Sequence, residues 1–399
     1  MRSLGAFVLV FAITATQPVT AAETIHEVPD TIDATGKTEV STALMKWLVK
    51  LPAATKQAPA TVRFAKGGTY WVDYTIILHK NAGGGSIPGV MWHEFGEFSL
   101  DHLRFDLNGA TIEQRTKGPY KQGGKVVDER KRWGNPIIST QGATDIQIYG
   151  GTLRGSCATA EYKPQFEEWT GIRLTGNPHT NLVENMVVRD MTIENVFGDY
   201  IYLASGTTAG SHLKNVRIEN NVMRVAGRQG IVLNGGTGVV IKGNTFSETA
   251  RFLFDSEPTA AQGWSDVTID SNIGTSGKLG FLQFSGPKVV VAEKLTITNN
   301  VLKGGHFKIR LGNGNTDSLR SGFKFTNNVA SDNGGNPFGG AKKAAHLIEV
   351  TRWKDIVITG NSEYFELVGD KPLHSGVQLN GVENAKVSDN QWKNAVDNR

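Results

Sequence analysis

The sequence has one cysteine, 13 prolines and almost no excess of charge among its 399 residues. A single cysteine cannot pair within its own chain, which excludes a scaffold held together by disulfides. Lysine and arginine number 42 against 38 aspartates and glutamates, and the net charge of +4 excludes a nucleic-acid binder that works by bulk charge. Apolar residues make up 39% and charged residues 20%, which allows a sizeable core and excludes intrinsic disorder.

Long hydrophobic runs are also missing, apart from one near the N-terminus. Arg2 precedes an apolar run from Leu4 to Ala15, and small residues follow up to Ala22. The run is shorter than the roughly 20 residues that a bilayer span needs. A basic start, a short apolar centre and a small-residue end are typical of a secretory signal. We therefore predict a signal peptide over 1–22 and a secreted protein, extracellular or periplasmic.

One helix is expected after the signal. Apolar residues recur at helical spacing from Val40 to Leu51, and Pro52 follows them. This pattern predicts a short amphipathic helix over 38–51. From Val62 onward the sequence changes to short β-rich runs interrupted by glycine and asparagine, and no helical pattern of comparable length returns.

A repeat organises most of the chain. Short alternating runs such as NVRIENNV, KLTITNNVL and DIVITGNSE each contain an asparagine at the same place, with Met191 at the equivalent place before the first. Successive positions lie 23 to 33 residues apart, which indicates one coil of a solenoid per repeat. The asparagines are predicted to form an interior ladder at a turn. They are Asn221, Asn244, Asn272, Asn300, Asn328, Asn361 and Asn390.

A second strand occurs at a fixed distance from each asparagine. It reads GIRL at 171–174, YIYL at 200–203, GIVL at 230–233 and KIRL at 308–311. Two or three short strands per coil predict an all-β fold, a right-handed parallel β-helix in which like residues stack about 4.8 Å apart. The mature chain 23–399 is predicted to be a single domain with a capping helix. Its cap and first coils occupy about 23–134, and its regular coils about 135–395.

The mature chain resembles the pectin-lyase-like superfamily of right-handed parallel β-helices. The opening IDATGKTEVSTALMKWL, followed by TVRFAKGGTYWV and LRFDLNGATI, is similar to the N-terminal cap and first coils of many secreted or phage-encoded members. The resemblance implies the fold and an association with polysaccharides. It does not specify the reaction, because this scaffold hosts hydrolases, lyases, epimerases and adhesins.

The second strands also predict a binding face. Side chains alternate across a strand, so the residue between the two apolar positions of each GIxL run points outward. The resulting lateral face is charged, aromatic and rich in amides, which suits a neutral or an acidic sugar chain. Its predicted substrate-binding residues are Arg173, Tyr200, Tyr202, Gln283, Arg310 and Glu349.

The sharpest candidate for chemistry is the pair Asp255 and Glu257 in the run RFLFDSEP. At i and i+2 on one strand, their Cα atoms lie roughly 6.5–7 Å apart and their carboxyl groups project to the same side. One acid can then stay protonated while the other is ionised, as glycoside hydrolysis requires. A pair of solvated acids, or of acids neutralised by basic neighbours, remains the alternative.

Four basic residues are expected near the pair. Arg228 and Arg251 fall at the same turn position in consecutive coils, and His306 occupies that position two coils after Arg251. Lys308 is predicted to face outward two coils beyond Asp255, roughly 10 Å away. These groups are candidates for catalysis, for holding a uronate, or for balancing the acids.

Family motifs give two further comparisons. Polygalacturonase-type hydrolases carry D-D and G-H-G motifs, where this sequence has Gly198-Asp199 and Gly305-His306-Phe307. In calcium-dependent lyases similar to chondroitinase B, two acids at i and i+2 and an asparagine from the preceding coil hold the metal. Asn234, Asp255 and Glu257 match that arrangement, whereas Gln262 stands in place of the lysine base.

The sequence therefore favours a secreted glycoside hydrolase that uses Asp255 and Glu257 without a cofactor. A calcium-dependent polysaccharide lyase is the first alternative, with Ca²⁺ on Asn234, Asp255 and Glu257. A carbohydrate-binding adhesin or tail-spike-like protein without catalysis is the second. The expected partner is a polysaccharide, with no nucleic acid and no membrane span.

Overall fold

The computed structural model describes residues 23–80, 95–115, 120–122, 125–127, 136–176, 182–205, 212–258, 263–285, 292–312, 320–330, 347–363, 376–392 and 397–398. The predicted signal peptide over 1–22 lies outside these residues. The described part of the chain holds no helix with the length and apolar character that a bilayer crossing requires.

Three long sheets of 12, 12 and 11 strands contain most of the regular structure. The chain passes through sheet 1, sheet 2 and sheet 3 in turn, and each strand then pairs in parallel with the strand of the next coil. In sheet 3, for example, Ile231 pairs with Phe254 and Phe254 with Leu282. The predicted parallel β-helix is thereby confirmed.

The strands have the following bounds. Sheet 1 contains Thr24–Glu27, Ala60–Arg63, Leu103–Asp106, Gln147–Tyr149, Leu182–Arg189, His212–Glu219, Gly236–Lys242, Trp264–Asp270, Ala292–Thr298, Arg320–Thr326, Trp353–Thr359 and Glu383–Ser388. Sheet 2 contains Thr35–Glu39, Thr69–Val72, Thr111–Gln114, Thr152–Arg154, Thr192–Val196, Val222–Ala226, Thr245–Thr249, Ile273–Gly274, Val301–Leu302, Val329–Ala330, Ser362–Glu363 and Gln391–Trp392. Sheet 3 contains Ile76–Ile77, Ile138–Ser139, Ile172–Thr175, Ile201–Ala204, Ile231–Leu233, Phe252–Ser256, Gly280–Phe284, Ile309–Leu311, Ile348–Thr351, Val377–Asn380 and Asp397–Asn398.

Two short antiparallel pairs lie outside the three sheets. They join His79–Lys80 to Phe98–Ser99, and Tyr120–Gln122 to Lys125–Val127. Within the described ranges, the helical elements are an α-helix, Ser41–Leu48, and a 3₁₀ turn, Pro164–Phe166.

The α-helix is shorter than the range predicted from the sequence. It begins at Ser41 because the preceding residues form the strand Thr35–Glu39, which pairs with Thr69–Val72 in sheet 2. It ends at Leu48, after which the chain tightens into a turn before Pro52. The buried side chains of Leu44, Met45 and Leu48 join the core of the first coils, as expected of a cap.

The predicted asparagine ladder runs through the turn between sheets 1 and 2. At each step, the backbone N–H and the side-chain amide of one asparagine both donate to the side-chain oxygen of the next. All members except Asn390 are buried. The left-handed conformation falls on the residue before each ladder position, such as Asn220 and Ser271 with φ of 56° and 54°, and not on the ladder residue itself.

Apolar side chains fill the interior of the coils. In sheet 3, Ile201, Ile231, Phe254, Leu282 and Ile309 stack in register, and all five are buried. Because side chains alternate along a strand, the residue that follows each of them is directed away from this core. The lateral face of the molecule, defined here as the outward side of sheet 3, is built from those residues.

Candidate functional site

The lateral face has the register predicted from the sequence. Successive pairings join residues of neighbouring coils into one column: Arg173, Tyr202, Val232, Asp255, Gln283, Arg310, Glu349 and Gln378. Neighbouring members are about 4.8 Å apart. The middle of the column therefore brings an aromatic ring, a carboxyl group, an amide and a guanidinium group to the same side of sheet 3.

Asp255 differs from the other polar members of the column because its carboxyl group is buried. The residue has 0% of its surface exposed. Oδ2 accepts a hydrogen bond of 2.9 Å from Nε2 of Gln229, and Oδ1 has no hydrogen-bond partner. Glu257, two residues further, keeps 43% of its side chain exposed. The two acids thus occupy different environments, as separate catalytic roles require.

Arg228 links these acids to a third one, Asp199. Its Nη1 lies 3.1 Å from Oδ2 of Asp199, and its Nη2 lies 3.5 Å from Oε2 of Glu257. The arginine side chain is 13% exposed, and Asp199 is fully buried. We call Asp199, Arg228, Asp255 and Glu257 the acid cluster. In this cluster one guanidinium group neutralises part of the charge of three carboxyl groups.

Gln229 connects the two buried aspartates. Its backbone N–H donates to Oδ1 of Asp199 at 2.9 Å, while its side-chain Nε2 donates to Asp255. The backbone N–H of Phe252 donates to Oε1 of Gln229 at 2.8 Å, which fixes the orientation of the amide. The amide therefore holds Oδ2 of Asp255 and leaves Oδ1 available to carry a proton.

Burial raises the pKa of both aspartates. The pKa of Asp255 rises to about 7, because burial and the charge of Glu257 outweigh the opposing charge of Arg228. Burial likewise raises the pKa of Asp199 to about 7, against the effect of Arg228 and of the Gln229 N–H group. Asp255 is therefore a carboxyl group that keeps a proton at pH values where an exposed aspartate has lost it.

The raised pKa of Asp255 predicts a pH-dependent stability. From pH 3.8 to about 7 the folded protein holds a proton that the unfolded chain has released. The bound proton therefore stabilises the folded state. This stabilisation is fully present below pH 3.8 and is lost as the pH rises through about 7. We expect Asp255→Asn to make this decline shallower, measured by urea unfolding across that pH window. Asp266→Asn, at an exposed position of sheet 1, is the control, and equal slopes in all three proteins would contradict the assignment.

Tyr202 and Arg173 extend the site toward the N-terminal coils. The Arg173 guanidinium group lies over the Tyr202 ring, 4.8 Å from its centre, and also lies 3.2 Å from Glu168. The Tyr202 hydroxyl accepts a hydrogen bond of 3.1 Å from Nδ2 of Asn234. These contacts fix both side chains next to the acid cluster, consistent with their predicted position on the binding face.

Tyr200 was predicted to lie on the lateral face, and this prediction is wrong. The residue is fully buried in the core, and its hydroxyl donates to the backbone oxygen of Ser247. Tyr200 lies directly before the strand Ile201–Ala204, where the chain turns into sheet 3, and alternation does not extend through such a corner.

His306 was also predicted to stand beside the acids, and it does not. Its ring is 4% exposed, and Nδ1 lies 2.8 Å from Oε1 of Glu363, which is equally buried. Burial raises the pKa of Glu363, although the bond to His306 opposes the rise. Because its ring is buried and bonded to Glu363, His306 is removed from the candidate catalytic residues.

The remaining basic candidates divide into two places. The Arg251 backbone N–H donates to the Arg228 oxygen, which confirms that the two arginines occupy consecutive turns. Lys308 is half-buried, and Arg310 lies 3.6 Å from Glu349. Burial and the charge of Arg310 lower the pKa of Lys308 to about 8, while Glu349 opposes the shift. Lys308, Arg310 and Glu349 together form a second charged group, which begins two coils after Asp255.

The predicted calcium ligands do not fit a metal. Oδ1 of Asn234 accepts the backbone N–H of Glu257 at 2.7 Å, while Nδ2 donates to Tyr202. The guanidinium group of Arg228 lies against Glu257, where a cation would have to bind. Ca²⁺ requires six to eight oxygen ligands. No set of three histidine, cysteine, aspartate or glutamate residues within the described ranges is arranged to hold a metal ion.

Sequence reasoning missed two members of the site. Asp199 was noticed only as a departure from the D-D motif, and Gln229 was not considered. The usable signal was the registration of GDYIYL with GRQGIVL, which places Asp199 and Gln229 at the same position before consecutive strands. Their distance in sequence from Asp255 hid them, because coils 23 to 30 residues long bring them together only in the stack.

The comparisons with known proteins give a likeness of fold. No family model matches the chain, and a search of curated proteins finds no match. Among solved structures, the surface adhesin PfbA of Streptococcus pneumoniae superposes with a TM-score of 0.57 at 14% identity, covering 94% of this chain and 98% of the other. The family 28 exopolygalacturonase of Yersinia enterocolitica superposes with a TM-score of 0.51 at 13% identity, covering 92% and 79%. This protein therefore has the right-handed parallel β-helix fold that these two proteins share.

Proposed function

We propose that this protein is a glycoside hydrolase that cleaves a polysaccharide bound across the lateral face. One observation carries the proposal. Asp255, in the middle of the outward column, is a buried carboxyl group with a pKa of about 7 and with one oxygen free of hydrogen bonds, and it lies two residues from the exposed acid Glu257. Two acids in unlike environments are the chemical requirement of glycoside hydrolysis.

Each acid has one role in the proposed reaction. Asp255 donates its proton to the glycosidic oxygen, and the bond from that oxygen to the anomeric carbon breaks. A water molecule attacks the anomeric carbon, and Glu257 accepts the proton that the water releases. Glu257 serves as the base because its side chain is exposed to water, whereas Asp199 is buried against Arg228 and Gln229. Arg228, which contacts Asp199 and Glu257, keeps both side chains in place without taking part in proton transfer.

The rest of the lateral face supplies the polar contacts of a glycan site. Along the column lie the Tyr202 ring, the Gln283 amide and the Arg310 and Glu349 side chains, which can bind sugar rings and hydroxyl groups. Because neighbouring coils are about 4.8 Å apart, a sugar chain lying across this face contacts several coils. A polysaccharide substrate agrees with the export signal predicted for residues 1–22.

Glycan binding without cleavage is the second candidate function. The observation in its favour is the complete burial of Asp255, whose carboxyl group contacts Gln229 and not the surface. A hydrolase needs the side chains over this group to move when substrate binds. An adhesin needs no such movement, and it would use only the exposed residues of the face.

The test is incubation with a panel of neutral and acidic polysaccharides, with two signals recorded. We expect new reducing ends without near-ultraviolet absorbance, unchanged by added calcium or by a chelator. Absorbance from a new C=C bond would overturn hydrolysis in favour of elimination. Retention of the protein on a polysaccharide with neither signal would establish binding without cleavage.

A further inference from the structure

The segment 155–170 crosses several coils beside the acid cluster. It leaves sheet 2 after Arg154 and enters sheet 3 at Ile172. Within it, the oxygen of Ala160 accepts a hydrogen bond of 2.5 Å from Nζ of Lys278. Lys278 precedes the strand Gly280–Phe284, four strands along sheet 3 from Ile172–Thr175. The segment therefore passes over several coils of the stack, with the Lys278 side chain bridging the last part of the distance.

Buried contacts hold this segment against the coils. Its N-terminal part is fixed by buried Cys157, whose backbone N–H donates to the Asn195 oxygen at 2.7 Å. At its other end, Phe166 stacks on Phe197 at 4.6 Å and packs edge-on against buried Trp169. A segment fixed at both ends presents its exposed side chains in defined positions.

Tyr162 is the exposed aromatic residue of this segment. It is 38% exposed, yet its ring is held by two charged side chains. The hydroxyl donates to Oε2 of Glu167 at 2.8 Å, and the Arg251 guanidinium group lies 4.7 Å from the ring centre. The same Glu167 oxygen lies 3.8 Å from Nε of Arg228, and the charge of Arg251 acts on Asp255. Both anchors of the ring thus belong to the surroundings of the acid cluster.

We propose that Tyr162 forms a sugar-stacking subsite at the edge of the acid cluster, which takes the C–H face of a pyranose ring of the bound polysaccharide. This inference rests on the proposed function. Arg251 covers one face of the ring, so a ligand approaches the opposite face, whose electron density attracts C–H groups. Because the Tyr162 ring is already held in place, binding a sugar costs less conformational entropy. Tyr162 is a binding residue here and takes no part in proton transfer.

Three variants test the subsite. In Tyr162→Ala we expect retention on the polysaccharide and 1/KM to fall roughly threefold to tenfold, with kcat within about twofold of the wild type. Tyr162→Phe keeps the ring and should bind within about twofold of the wild type. Ile273→Ala, at an apolar position of sheet 2 with 41% exposure, is the control for losing exposed apolar surface. Melting temperatures of all three should stay close to that of the wild type.

The outcomes separate this subsite from the proposed function. If the wild type cleaves the polysaccharide and Tyr162→Ala binds it equally well, the subsite alone is wrong. If Tyr162→Phe loses as much affinity as Tyr162→Ala, the hydroxyl bond to Glu167 is the cause and stacking is overturned. If the wild type binds without cleaving, hydrolysis is wrong, and the retention measurements still decide the subsite. A wild type that neither cleaves nor binds overturns both.

Discussion

Asp255→Asn is expected to lower turnover of the polysaccharide by roughly 10²- to 10⁴-fold, the usual effect of losing a general acid. Asparagine has nearly the same shape, and its side-chain oxygen can still accept the hydrogen bond from Gln229. The variant therefore loses the proton and little else. Initial rates of reducing-end formation measure the effect, and retention on the uncleaved polysaccharide shows whether binding persists.

A second acid variant and a pH profile sharpen the result. Glu257→Gln should show a loss of similar size, while Asp266→Asn on sheet 1 should retain full activity. Because the proton donor has a pKa of about 7, wild-type activity should fall as the pH rises through that value. Full activity in both acid variants would remove the pair from the mechanism. Lys308 and Glu349 would then be the titratable pair to examine on this face.

The acid cluster lowers the stability of the fold, and a cluster that persists despite this loss supports a functional role. Desolvation opposes the charge of Asp199, Asp255 and Arg228 alike, and Oδ1 of Asp255 and Nε of Arg228 have no hydrogen-bond partner. A buried carboxyl group left unsatisfied lowers stability, and an apolar pair of similar volume would avoid that loss. Perturbed, closely spaced titratable groups are concentrated at functional sites.

The sequence alone predicted the fold and the register of the lateral face. Both follow from local rules that repeat in every coil. Each ladder position such as Asn272 needs an amide that bonds to both neighbours, and each column position such as Gln283 follows from strict alternation. Because the same spacing of strand and asparagine recurs in every coil, a residue assigned wrongly in one coil is corrected by comparison with the equivalent positions in the others.

The details of the site depend on features that do not repeat. The corner before sheet 3 turns Tyr200 inward, although Lys308 at the corresponding corner four coils later is only half-buried. His306 bonds to Glu363, 57 residues away, and no local pattern reports that contact. Asp199 became prominent only once the stack placed it beside Arg228. The positions of these side chains therefore depend on packing between coils, which the sequence periodicity does not report.

Asn300 shows how heavily the fold depends on its interior ladder. Its side-chain oxygen accepts bonds of 3.0 and 2.9 Å from the backbone and side-chain amides of Asn272. Its own amide donates to the oxygens of Ile269, Thr298 and Asn328 at 2.9 to 3.0 Å. The partners of the Asn300 side chain are buried or partly buried. Water therefore cannot replace the Asn300 amide group if it is removed.

Asn300→Ala is accordingly expected to lower the free energy of unfolding by about 3 to 5 kcal/mol, because each buried polar group left without a partner costs about 1 to 3 kcal/mol. Thr296→Ala is the matched control, since Thr296 lies on the outward side of sheet 1 in the same coil and should change stability by less than about 1 kcal/mol. Urea unfolding of both variants at one pH measures the difference. A loss no larger than the control's would show that the stacked strands, and not the asparagine ladder, carry the stability of the coils.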